Sequence, residues 1–516
     1  MVNASRCLLL VFIAFILIPA TNAEEWPKFR HDLRNTGFYE GESSLSYDNL
    51  SLLWVFETDG WIRSSPAVAD LDNDNELEIV FGSDNGFLYA LDSSRRGLWS
   101  FHTGGRIRSS PFIGDINNDS EPEIIFGSDD GFLYVLNSGG NLLWSFKTGD
   151  AIVSSPVAVD IDEGPGLEIV FGSMDENLYL LNPKGNLLRK FELKGGIESS
   201  PAIADFDGDG KLDIIIGTNS HNVYVLSYPG TKRLAFPTGG RVVSSPVIVG
   251  SAPRIVIAST DGNIYGLTYS EYRVGEKEGY IEARINRVWN YSTEGEVISS
   301  AAAANLLGSG YEEIVIGSRD KNLYILNSYT GKLLRKYLTN APICSSPAIA
   351  NIDGENESEI IFGSDDGMLY IMNSSWERVW SYKCKGAIKT SPVIADLNND
   401  GKSEIIVGAD DNRVYVFSSI EGPTTTITIT TATSTTTSTT TSTISETTTT
   451  STTTTTSFVK PEIKIKEIGS TTTLMGETPP VVGRVIGVSV NAGLTLLAIF
   501  FIAVISYILY RKGMRI

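Results

Sequence analysis

The chain has 516 residues, 42% hydrophobic and 20% charged, with a formal net charge of -20 from 61 acidic and 41 basic side chains. That acidity argues against a nucleic-acid binder, which needs a basic surface to displace counterions from phosphates. Three cysteines exclude a disulfide-dense scaffold or a multi-cysteine zinc or iron–sulfur protein, and three histidines leave little imidazole for catalysis.

Residues 1–23 join a basic start (Arg6) to an apolar run from Cys7 to Ile18 and end in the small residues Thr21-Asn22-Ala23. This is the layout of a secretory signal peptide cleaved after Ala23, with an apolar run too short for a membrane span. A lead-in, residues 24–51, precedes a repeat that occupies residues 52–422. Its landmark Ser-Ser-Pro recurs every 45 residues at Ser64, Ser109, Ser154, Ser199 and Ser244. It weakens at Ser299-Ser300-Ala301, then returns at Ser345 and as Thr390-Ser391-Pro392. Phe-Gly or a relative follows in seven of the eight, as at Phe81-Gly82 and Phe126-Gly127, then in all eight an apolar-Tyr pair (Tyr89, Tyr134), then a Trp-x-aromatic strand, clearest at Trp99, Trp144, Trp289 and Trp380.

A self-similar period of this size marks a propeller, solenoid or array. Each unit holds four short β-rich runs separated by Gly, Asp and Asn; in the second they are Ser110–Asp115, Glu123–Ser128, Phe132–Asn137 and Leu142–Phe146. Helical periodicity is absent, so the expected fold is all-β: an eight-bladed β-propeller of four-stranded blades. The eighth unit lacks its own Trp strand, and Leu53-Trp54-Val55-Phe56, which precedes the first unit, can fill that gap and remove an exposed edge. The fifth unit carries an insertion around Tyr269–Arg287, expected as a protruding loop.

Between the first and second runs lies a carboxylate series at positions 1, 3, 5 and 9. It reads Asp70, Asp72, Asp74, Glu78 in blade 1; Asp115, Asn117, Asp119, Glu123 in blade 2; and Asp205, Asp207, Asp209, Asp213 in blade 4. Blade 8 gives Asp396, Asn398, Asp400, Glu404. Blade 3 (Asp160, Asp162, Glu168) and blade 7 (Asn351, Asp353, Glu355, Glu359) are less regular. Blade 6 keeps Asn305 and Glu313, and blade 5 has lost the loop. Asp, Asn and Gly also make good turns, but carboxylates crowded into nine residues repel unless neutralised, and Ca²⁺ takes six to eight such hard oxygens. Structural Ca²⁺ is the expected cofactor. On the opposite face, the residue before each Ser-Ser varies between blades, which makes Arg63, Arg108, Glu198 and Lys389 the candidate ligand contacts.

Leu88-Tyr89-Ala90-Leu91-Asp92 leading to Leu98-Trp99-Ser100-Phe101 resembles the pyrroloquinoline-quinone (PQQ) repeat of quinoprotein propellers, as does the turn Leu326-Asn327-Ser328-Tyr329-Thr330-Gly331. Trp26-Pro27-Lys28-Phe29-Arg30 with Asn35-Thr36-Gly37 is similar to the lead-in of PQQ-like propeller proteins. The stretch from Ala69-Asp70 to Phe81-Gly82-Ser83 resembles the FG-GAP repeat of integrin α-subunits, which implies Ca²⁺ on the acidic loops. FG-GAP loops usually end in Asp, whereas five of these six end in Glu. The quinoprotein resemblance implies a quinone stacked on adjacent cysteines, a pair this chain lacks, so PQQ is not expected.

The mature cysteines Cys344 and Cys384 form a candidate disulfide, and sequons at Asn49, Asn118, Asn290, Asn356 and Asn373 are candidate glycosylation sites. Residues 424–457 contain 29 Ser or Thr in 34 positions, so 423–457 reads as a disordered, O-glycosylated stalk. A mixed juxtamembrane segment, 458–484, leads to an uncharged run, 485–510, long enough for one transmembrane helix. Arg511, Lys512 and Arg515 place the tail, 511–516, in the cytoplasm and the propeller outside, a plan that looks like archaeal surface proteins. The leading expectation is a cell-surface binding or adhesion module with an extracellular protein or glycan ligand. The alternatives are a PQQ-dependent dehydrogenase and a BamB-like assembly scaffold.

Overall fold

The structure, a computed structural model, describes residues 25–41, 43–230, 233–274, 280–355 and 357–419. The expected signal peptide, stalk, juxtamembrane segment, transmembrane helix and tail lie outside these residues, as does Asn356.

Eight four-stranded antiparallel sheets follow one another around a closed ring, and no α-helix occurs among the described residues. Blades 1 to 8 span residues 67–102, 112–147, 157–192, 202–237, 247–292, 302–338, 348–383 and 393–419. In blade 1 the strands, from the axis outward, are Ala67–Ala69, Glu78–Gly82, Phe87–Leu91 and Gly97–His102. The second strand is buried at every residue because neighbouring blades cover both its faces. The outermost strand alternates between half-buried and exposed residues, as a sheet edge facing water must.

Ring closure follows the sequence expectation. Leu50–Glu57 pairs antiparallel with Arg413–Ser419 and completes blade 8 with strands from both ends of the domain. The insertion in blade 5 is not an irregular loop: it lengthens the outer hairpin, Asn263–Val274 paired with Tyr280–Ser292. Phe38–Tyr39 adds a short parallel strand to blade 7.

The repeat landmarks hold blade to blade. The second serine of each Ser-Ser accepts the amide of its counterpart one blade earlier, as in Ser65 N to Ser110 Oγ at 3.0 Å and Ser110 N to Ser155 Oγ at 3.0 Å. The series closes with Ser391 N to Ser65 Oγ at 2.9 Å. The first serine links strands and blades: Ser109 Oγ accepts Gly127 N at 3.1 Å and donates to Ser154 O at 3.1 Å. Outer-strand tryptophans dock on the next blade, Trp99 Nε1 on Ser138 O at 2.9 Å and Trp380 Nε1 on Leu50 O at 3.0 Å.

The glycine of Phe-Gly is dictated by the same contact. A Cβ on Gly127 would lie 2.2 Å from Cγ2 of Ile152, which leads into blade 3. Gly127→Ala is therefore expected to destabilise the propeller by about 1–3 kcal/mol through overpacking, read as a lower denaturant midpoint. A midpoint equal to that of the native chain would show that the blades can part without cost.

Candidate metal loops and the channel

In the regular acidic loops, those of blades 1, 2, 4 and 8, the first carboxylate organises the turn. Asp70 Oδ1 accepts the amides of Asn73 (2.7 Å) and Asp74 (3.2 Å), while Oδ2 accepts Asn75 N at 3.0 Å. Asp115 and Asp205 do the same in blades 2 and 4. Asn73 and Asn75 have φ of 62° and 69°, the left-handed region that Asn tolerates.

The ninth residue turns inward and is buried. Glu78 Oε2 accepts Leu71 N at 2.7 Å, and the same bond recurs from Glu123, Glu168, Asp213, Glu313, Glu359 and Glu404. It persists in blade 6, which lacks the rest of the series, so this carboxylate braces the loop whether or not an ion is present. Burial, opposed by that amide and reinforced by neighbouring carboxylates, pushes Glu78, Glu123, Asp213 and Glu359 up to about 7. In Glu404, burial is opposed first by Ser418 and then by the Leu397 amide, and the carboxyl also reaches about 7.

Three loops bring positions 1, 3 and 9 together: Asp70, Asp72 and Glu78; Asp160, Asp162 and Glu168; Asp205, Asp207 and Asp213. Within each group, ligand oxygens lie within 4.8 Å of one another. Two oxygens on one Ca²⁺ at about 2.4 Å are at most about 4.8 Å apart, so these donor sets fit that ion. Blade 3, the irregular series, belongs with the convergent loops. In blade 2, Asn117 Nδ2 donates to Glu123 Oε1 at 2.6 Å, and in blade 8 Ser418 Oγ donates to Glu404 Oε1 at 2.7 Å. The lead-in covers the loops of blades 7 and 8: Tyr47 Oη donates to Asp353 Oδ2 at 3.0 Å, and Ser43 Oγ accepts Ser403 N at 2.8 Å. Side chains of the chain itself thus occupy oxygens there that an ion would otherwise take.

The lead-in does more than close blade 8, and the sequence reading missed it. Residues 25–37 cross the channel, bonding the middle residue of six innermost strands. Trp26 pairs with Val68, Pro27 O accepts Ile113 N, and Leu33 O accepts Ile203 N. Arg34, Thr36 and Gly37 carbonyls accept Ile248, Ala303 and Ile349 amides. Asn35 Nδ2 donates to the carbonyls of Pro201 and Pro246, both at 3.1 Å, and Arg30 donates to those of Ala301 (2.6 Å) and Pro347. Lys28 Nζ donates to Asn35 Oδ1 at 3.0 Å, and burial pushes its ammonium down to about 8. A run holding three cations, Lys28, Arg30 and Arg34, with Asn35 and Gly37 ahead of the first repeat was the available signal.

On the face opposite the acidic loops, the variable residues are taken up in pairs. Arg63 meets Asp410 at 3.2 Å and Asp84 at 3.8 Å, Arg108 meets Asp129 at 2.8 Å, and Lys389 meets Asp410 at 2.5 Å. Glu198 accepts Asn219 Nδ2 at 2.8 Å and faces Arg241 at 3.7 Å. The turn acids Asp130 and Asp366 hold the Tyr134 and Tyr370 hydroxyls at 2.8 and 3.0 Å.

The expected disulfide is not formed: both thiols are free. Cys344 lies on the channel mouth against Asp365, and Cys384 is buried in the core beside blade 8, because they occupy different positions of the repeat. Burial first, then a neighbouring aspartate, pushes both thiols up to about 12, so both are protonated at neutral pH. Asn49, Asn118 and Asn290 are exposed, whereas Asn373 is half-buried and accepts Glu377 N. His102 packs on Phe87 and His31 on Trp26, with ring centroids 4.5 and 4.9 Å apart.

The family described as the lambda-carrageenase beta-propeller domain matches residues 104–196 and 348–476, and the FG-GAP repeat matches 199–226, the segment that carries the blade 4 acidic loop. No curated protein sequence matches the chain. Among solved structures, the quinohemoprotein alcohol dehydrogenase from Comamonas testosteroni is similar over 78% of this chain and 82% of its own, at 11% identity and TM-score 0.58. The computationally designed Ika8 protein is similar over 74% of this chain and 100% of its own, at 15% identity and TM-score 0.51. BamB from Moraxella catarrhalis covers 71% of this chain and 97% of its own, at 15% identity and TM-score 0.49. At these identities the likenesses to the alcohol dehydrogenase and to Ika8 show the fold alone, a propeller. A β-propeller carrying an FG-GAP repeat fits a binding or adhesion module.

Proposed function

We propose that the protein is a calcium-stabilised, non-catalytic binding or adhesion module, displayed outside the cell on a glycosylated stalk and a C-terminal membrane helix. The observation that carries this reading is a division of labour within the repeat. Serines, glycines and tryptophans recur because they hold blades together and buried carboxylates because they brace their own loops, while the residues at the channel mouths differ from blade to blade. The name of the matching domain, that of a lambda-carrageenase, supports a carbohydrate as ligand class.

The test is to screen the purified full-length chain, with calcium, against arrayed surface glycans and proteins while following chemical change in each bound ligand. Binding without turnover is expected. Turnover without added cofactor, or dye reduction after reconstitution with PQQ and Ca²⁺, would overturn the reading.

A further inference from the structure

The acidic-loop face is not uniform around the ring. In blade 5 only residues 250–253 join the first two strands, where blade 1 has 70–77. The rim is cut down at that point. A depression of 790 Å³ over the lead-in, reaching Asp32, Arg34 and Thr36, shares Val249, Asn305 and Glu312 with a second of 370 Å³ that runs outward between blades 5 and 6. Together they form one groove from the channel axis to the edge.

The blade 6 loop beside this gap has no acid at positions 1, 3 and 5 of the series, and large side chains stand exposed on it and on the neighbouring third-to-fourth turn. Leu307, Tyr311 and Tyr329 are 48%, 51% and 53% exposed, and the two tyrosine rings lie 5.3 Å apart at 39°. Arg254 holds Tyr329 in place, with its guanidinium 3.9 Å over the ring and Nη1 donating to Tyr329 O at 2.6 Å. The floor is tied together as well: Arg34 Nη2 donates to Gly250 O at 3.0 Å, and Gly250 N donates to Glu312 Oε1 at 3.1 Å.

We infer that this groove is a binding site for a neutral oligosaccharide chain, with Tyr311 and Tyr329 as its stacking platform. The inference rests on the binding-module reading above. Sugar rings present an apolar C–H face that aromatic rings cover, and an equatorial rim of hydroxyls that planar polar groups pair with. Asn305 and Glu312 supply such groups beside the tyrosines. The groove is concave and partly polar, unlike the broad apolar core of a stable protein interface. Asp32, Glu40 and Glu312 line the groove against Arg34 and Arg254, a balance that does not favour an anionic chain, so an uncharged ligand is favoured.

The test is to measure binding of the full-length chain to a panel of immobilised neutral hexasaccharides of glucose, mannose and galactose, in calcium. At least one is expected to bind. Tyr311→Ala and Tyr329→Ala should each weaken it about tenfold, as loss of an aromatic anchor does, while Tyr329→Phe stays within about twofold. Trp61→Ala, on the opposite face, should change nothing, and unaltered melting of each variant shows that the fold is kept. Absence of binding to every neutral hexasaccharide overturns the groove. Binding indifferent to both alanine variants also overturns it and leaves the binding-module reading standing. Hydrolysis of the bound sugar, sensitive to the tyrosines, would instead keep the groove and overturn the non-catalytic reading.

Discussion

Stripping the protein of divalent cations is expected to lower its melting temperature at pH 8 and to leave it nearly unchanged at pH 5. Each convergent loop, in blades 1, 3 and 4, places three carboxylates around one point. Calcium at about 100 times its dissociation constant stabilises a fold by about 2.7 kcal/mol per site, or about 8 kcal/mol for three. The pH dependence comes from the ninth residue. Without an ion, burial and the neighbouring acids keep Glu78 and Asp213 protonated up to about 7, whereas an unfolded chain releases those protons in the ordinary carboxylate range. Between those limits the ion-free fold holds more protons than the unfolded chain, so its stability falls as pH rises. Calcium requires the ionised forms. Its stabilisation is therefore full above about 7 and lost as pH falls below it. Asp207→Asn should remove roughly a third of the calcium increment, because blade 4 is one of three loops, and Glu313→Gln in blade 6 should leave it intact. Equal melting increments at pH 5 and pH 8 would refute the assignment of these carboxylates as ligands.

The parts of this structure that were legible in the sequence are those encoded within one repeat or between adjacent repeats. Ser-Ser-Pro, Phe-Gly and the Trp strand recur at fixed distances because each makes the same contact with the next blade, and Trp54 betrayed the closing strand by matching Trp99. The acidic loops could be read as a series, but their convergence could not. The third residue, Asp72 or Asp207 against Asn117 or Asn398, is visible in the sequence, but whether Tyr47 or Ser418 reaches in to take an oxygen is settled by tertiary neighbours. Arg63, Arg108, Glu198 and Lys389 stood out as variable, and each meets a residue 21 positions further on, Asp84, Asp129, Asn219 and Asp410, a fixed spacing that the sequence carries but that was not read as a pairing. The lead-in was opaque because its partners follow no such spacing. Arg30 meets carbonyls 271 and 317 residues distant, a separation that no local pattern records.

Replacing Arg30 with alanine is expected to be the most damaging single change in the channel. Its side chain is fully buried, and a Cβ on Gly37 would lie 2.1 Å from Nη2, so the guanidinium and that glycine were fitted to each other. Its two terminal nitrogens reach Ala301 O and Pro347 O, the carbonyls that follow Ser-Ser in blades 6 and 7. Truncation leaves both without a donor and opens a cavity, a combined cost of about 3–5 kcal/mol. Lysine should not rescue it, because one ammonium cannot reproduce a planar fork that spans two blades. The loss should also be local. Thr36 and Gly37 follow Arg30 and accept the amides of Ala303 and Ile349, so hydrogen exchange at those two amides should accelerate while those of Val68 and Ile113, bonded before Arg30, change less. Uniform acceleration around all eight blades would mean that Arg30 supports the ring as a whole. Exchange confined to blades 6 and 7 would show the lead-in to be a plug pinned at that point, whose release opens the channel between the two faces.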